Sequence, residues 1–158
     1  MWMDTSTRWH SRTPFDLIFQ RAEQQGVQCA VEGGSIAVRT VESMFRYFGE
    51  LTCRFAPFPE VVTGCEVFHN DVFVSEVIMK PWVSCMYNRT CMCVENFKEV
   101  YPCGHWPPRR YNWCHRYEQS ALGIIISKLY MEKRGLVSLQ RPQWYNFRRR
   151  HTMNWFIS

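Results

Sequence analysis

The chain lacks most of the features that would settle its class at once. No run of about 18 apolar residues occurs, so the sequence predicts no membrane-spanning helix. Met1-Trp2-Met3 gives way directly to Asp4-Thr5-Ser6-Thr7-Arg8, which predicts no secretory leader. There is no internal repeat and no low-complexity tract. Several catalytic signatures are missing too. The His-x-Glu with Pro-Cys-x-x-Cys of zinc deaminases is absent. So are His-Glu-x-x-His, a phosphate-cradling loop, a dinucleotide fingerprint and a Gly-x-Ser-x-Gly elbow. A non-enzymatic protein is the expectation.

Acidic residues are scarce in one region. The net charge is +5, from 19 Lys and Arg against 14 Asp and Glu. Residues 105–158 hold 10 of the basic groups and 2 of the acidic ones, Glu118 and Glu132, a local sum of +8. Arg148-Arg149-Arg150 stands among Trp144, Tyr145, Phe147 and Trp155. Arginine mixed with stacking rings suits single-stranded nucleic acid, an import receptor or a protein hot spot.

What is abundant is cysteine and tryptophan. There are 8 Cys and 7 Trp in 158 residues. Five of the Cys fall between Cys85 and Cys114, with His105 among them and His115 next in line. An even count would suit disulfides in a secreted domain. The expected compartment is intracellular, nuclear or cytoplasmic. Close thiolates there are natural ligands of one Zn2+ ion, which takes four Cys or His tetrahedrally. The expected set is Cys91, Cys93, Cys103 and Cys114, with His105 or His115 replacing one. Buried free thiols and disulfides are the alternatives. The sequon Asn88-Arg89-Thr90 would matter only in the secretory pathway. Trp106 and Trp113, with Arg109 and Arg110, are the candidate partner-binding residues, because Trp and Arg anchor interfaces.

Apolar periodicity predicts an α+β fold with a small mixed sheet. A helix is expected over 13–25, with Pro14 in its first turn and Gly26 as its stop. Strands are expected over 27–31, 36–40 and 51–56, with Gly33-Gly34 in a turn and a short helix over 41–49. Residues 61–69 and 72–79 read as a hairpin turning at Asn70-Asp71. An irregular zinc-bound segment over 82–116 leads into a second long helix over 117–134. One domain is expected over 1–135, followed by a basic aromatic tail over 136–158.

The stretch Cys91-Met-Cys93-Val-Glu95-Asn-Phe97-Lys-Glu99-Val-Tyr-Pro102-Cys103-Gly104-His105 resembles the middle of a RING-type zinc finger. The resemblance implies Cys93, Cys103 and His105 as ligands. It implies a degenerate module, since the first knuckle is Cys-x-Cys and no closing Cys-Pro-x-Cys follows. In overall character the chain resembles small early accessory proteins of DNA viruses. That implies zinc as cofactor and a host regulatory protein, such as a ubiquitin-pathway or transcription component, as partner. Zinc-assisted nucleic-acid binding is the alternative, no membrane partner is expected, and the oligomeric state is left open.

Overall fold

The computed structural model describes residues 1–3, 7–9, 13–93, 103, 110–112, 114–139 and 144–146. The fold is α+β, as the periodicity predicts. Its sheet has four strands in the order β1-β4-β3-β5. They are β1 (Trp2–Met3), β3 (Val27–Ser35), β4 (Pro59–Phe68) and β5 (Ser138–Leu139). The β1–β4 and β3–β4 pairs are antiparallel, and β3–β5 is parallel, so the sheet is mixed. A separate ribbon pairs β2 (Thr7–Trp9) with β6 (Trp144–Asn146). Ser138 and Leu139, which the sequence assigns to the tail, are therefore part of the main sheet.

Helix α1 (Phe15–Gln25) forms where the sequence predicts it. Asp16 complements its N-terminal dipole, and Gly26 ends it at φ +83°, a conformation that costs glycine little. Its Ile18 and Ala22 cover one face of the sheet with Ala30, Val62, Cys65, Val67 and Leu139. Helix α5 (Tyr117–Tyr130) covers the other face. Its Leu122, Ile125 and Ile126 pack with Val27, Cys29 and Val61. On its far side Ala121 and Ile124 meet Ile36, Met44, Phe45 and Phe55. Residues 119–127 are buried without exception, because α5 runs between the sheet and α2 (Glu42–Tyr47), and its buried Gln119, Ser120 and Ser127 each make a hydrogen bond.

Four expectations need correction. The strand expected over 36–40 is a turn, and β3 instead runs through Gly33-Gly34 to Ser35 with register shifts that keep it on β4. The strand expected over 51–56 is a short 3-10 turn, Thr52–Phe55. The second long helix ends at Tyr130 rather than 134, and a 3-10 segment, Met131–Val137, carries the chain past Gly135. Residues 72–79 are helical, not the second arm of a hairpin. The β-branched residues there favour a strand. Tertiary packing overrides them, because Val74 and Ile78 stand one helical turn apart and both are buried.

Candidate functional site

The helical segment that replaces the expected hairpin arm, with its continuation to Tyr87, carries a run of exposed large apolar side chains. Its start is fixed by Asp71, whose Oδ1 accepts from the Val74 N–H at 2.7 Å and whose Oδ2 lies 2.9 Å from His69 Nδ1. Those contacts hold the Asp71 carboxyl below its ordinary range, the Val74 bond contributing most. Val74–Met79 is a π-helix that runs into α3 (Lys80–Met86). Pro81 explains the wide turn: it has no N–H to donate back, and its ring needs room against the preceding turn. The inner side buries Val74, Ile78 and Cys85. Trp82 Nε1 donates to the Glu118 carbonyl at 2.9 Å, which ties α3 to α5.

The outer side presents Val72, Phe73, Val77, Val83, Met86 and Tyr87 to solvent, with Val72 78% and Tyr87 89% exposed. The charged pair on this segment, Glu76 and Lys80 at 2.6 Å, cancels itself. A disulfide from Cys85 to Cys91 then pins α3 to α4 (Arg89–Met92). Asn88 caps α4 by accepting from the Thr90 N–H at 2.9 Å.

The residues expected to bind zinc are distributed differently. Cys91 is bonded to Cys85, and Cys103 to Cys114. A sulfur held in a disulfide offers no thiolate to a metal. Cys93 is an exposed free thiol. His115 is buried, its ring nitrogens have no partner among the described residues, and its ring lies tilted against that of Tyr117, with the centres 4.7 Å apart. Burial pulls its pKa down to about 4, so the ring is neutral. Among the described residues no three Cys, His, Asp or Glu side chains converge on one point. No four-ligand Zn2+ site is assembled among the described residues, and the expected ligand His105 lies outside them. His105, Trp106, Arg109, Trp113, Arg148, Arg149 and Arg150 lie outside the described residues, and Arg110 is exposed.

The other polar cluster is internal. Glu60 is buried, with Arg39 Nε 3.2 Å and Arg116 Nε 3.8 Å from its carboxylate, and Gln119 Nε2 donates to it at 3.2 Å. The cavity they enclose is about 10 Å3. That is too small for a substrate, so these charges join β4 to α5 and to the turn after β3. Burial raises the Glu60 pKa, and the two arginines work against that shift.

Sequence inspection misses the outer face of 72–87 because 72–79 read as a hairpin strand and 82–87 as part of the irregular segment. The available signal was Val74, Ile78, Trp82 and Cys85 at spacings of four, four and three. No family model, no curated protein and no solved structure matches the chain.

Proposed function

We propose that this chain is a non-enzymatic interaction protein that lays the outer face of residues 72–87 into an apolar groove of a protein partner. The observation that carries this is the row of exposed side chains Val72, Phe73, Val77, Val83 and Tyr87 on a segment anchored along its length. Anchoring matters because a preorganised helix loses little entropy on binding. The Asp71 cap, the Trp82–Glu118 bond and the Cys85–Cys91 bridge supply it. Apolar anchors about one turn apart are what a helix-in-groove interface uses. In this reading sulfur bridges give the central segment the support expected of a metal. The partner class is the one implied by the resemblance to viral accessory proteins, a host regulatory protein.

The test is a double variant, Val77→Asp with Val83→Asp. Both positions are exposed, so the fold should survive with a near-unchanged Tm. Crosslinking and mass spectrometry should identify a partner for the unmodified chain, and its affinity for the variant should fall by at least about tenfold. Equal affinity for the two chains would reject this face. A partner that is nucleic acid, bound with a steep salt dependence, would replace the proposal with the alternative.

A further inference from the structure

A second feature lies on the far side of β3. A cleft of about 560 Å3 opens between the end of β3, the start of β4 and the 3-10 segment Met131–Val137. Its wall combines the apolar Val31, Phe58, Pro59 and Met131 with the guanidinium-bearing Arg134. Met131 holds φ +43°, an uncommon conformation for a residue with a side chain, and such strain gathers at ligand sites.

Arg134 is 5% exposed, and its Nε, Nη1 and Nη2 have no hydrogen-bond partner among the described residues. Its guanidinium carbon sits 5.7 Å from the centre of the Phe58 ring. Burial lowers its pKa to about 10, which still leaves it a cation at neutral pH. The neighbouring Cys29 supplies no counter-charge, because burial pushes that thiol well up and keeps it protonated. A desolvated charge with only an aromatic face beside it is costly, and an anion that satisfies it recovers that cost.

We infer that the cleft binds a monocarboxylate with an apolar tail, its carboxylate taken by the Arg134 fork and its hydrocarbon lying on Phe58 and Met131. A carboxylate matches two guanidinium N–H groups at once. A phosphate dianion fits less well, because Glu32 and Glu132 also line the cleft and repel added negative charge. The three nitrogens are themselves shielded from solvent, so binding requires a turn of the Arg134 side chain towards the cleft. That turn breaks no hydrogen bond to the described residues, since the guanidinium makes none with them.

Thermal melts with hexanoate, N-acetyl-leucine, N-acetyl-leucine amide and inorganic phosphate test this on the full chain. Either carboxylate should raise Tm by several degrees, saturably, while the amide and phosphate leave it unchanged. Hexanoate alone would indicate a free acid, and N-acetyl-leucine alone a peptide C-terminus. Arg134→Met should fold, because an apolar side chain of similar length removes an unpaired buried charge, and it should lose the response. Should that variant fail to fold, amide shifts of residues 58 and 138 on adding hexanoate to the unmodified chain decide the matter. No saturable shift with either carboxylate, an equal response to phosphate, or a full response in Arg134→Met would overturn the assignment.

Discussion

Glu66 stands directly opposite Cys29 in the β3–β4 ladder, and each is 1% exposed. Burial pushes the Glu66 carboxyl up to about 8, and the charge of Glu118 adds to the shift. The folded protein therefore holds a proton that the unfolded chain, with an ordinary value of 4.5, gives up. The stability this represents is complete below about pH 4.5 and is lost as pH rises through 8. The slope is roughly 1.4 kcal/mol per pH unit across that window. Urea titrations should show the midpoint falling between pH 6.5 and 8. Glu66→Gln, which stays neutral, should hold steady there. A parallel fall in both proteins would show that another group is responsible.

His115 works in the opposite direction. Its folded value of about 4 lies below the ordinary 6.5, so acid favours the unfolded chain. Stability from this group is complete above pH 6.5 and is lost as pH falls towards 4. Between 4.5 and 6.5 the two slopes have equal size and opposite sign. The protein should therefore show a plateau of stability there, bounded by losses on both sides. Glu66→Gln should turn the plateau into a rise with pH, and His115→Phe should turn it into a fall. Measuring unfolding free energies of the three proteins at half-unit steps checks this directly. A plateau that survives both substitutions would refute it.

These two groups illustrate what the sequence can and cannot convey. Helix α1 was legible because a proline, an acidic first turn, an apolar stripe and a stopping glycine all agree over 15–26. The mixed α+β character followed from similar local signals. Residues 72–79 were misread because Val and Phe have strand propensity, while the deciding fact, that Val74 and Ile78 both face α5 and the sheet, is tertiary. Cysteine pairing is likewise spatial. Five closely spaced cysteines are compatible with a metal or with bridges, and spacing alone does not choose. The burial of His115, Glu66 and Arg134 has no local signature at all.

The cysteines give the sharpest count. Cys29, Cys53, Cys65 and Cys93 are free, and Cys53 and Cys93 are exposed. Thiol titration of protein prepared without reductant should find four thiols after denaturation. Only two should react quickly before it, because burial pushes Cys65 up to about 12 and Cys29 well above its usual value. Eight thiols with stoichiometric zinc would restore the metal reading instead. Reducing the bridges should cost about 2–3 kcal/mol each, as expected for loops closed over 6 and 11 residues. The reduced chain should thus unfold at markedly lower urea.

Gly33 and Gly34 are adjacent in β3, yet substitution should separate them sharply. A Cβ at Gly34 would stand 2.5 Å from Glu60 Oε1 and 2.7 Å from Arg39 Nε, whereas one at Gly33 meets nothing within 4 Å. Gly34→Ala must therefore displace the ends of both side chains and loosen the Glu60–Arg39 contact. Arg116 and Gln119 still reach the Glu60 carboxylate, so the expected cost is about 1–2 kcal/mol rather than that of stranding a buried charge. Gly33→Ala should change stability by less than about 1 kcal/mol, and a small gain is the expected sign, since alanine restricts the unfolded chain. Guanidinium melts of the two variants against the parent make the comparison. Glu60→Gln combined with Gly34→Ala provides the control, because removing the charge should recover part of the loss. Equal effects of the two glycine substitutions would mean that the Glu60 carboxylate does not lie against Gly34.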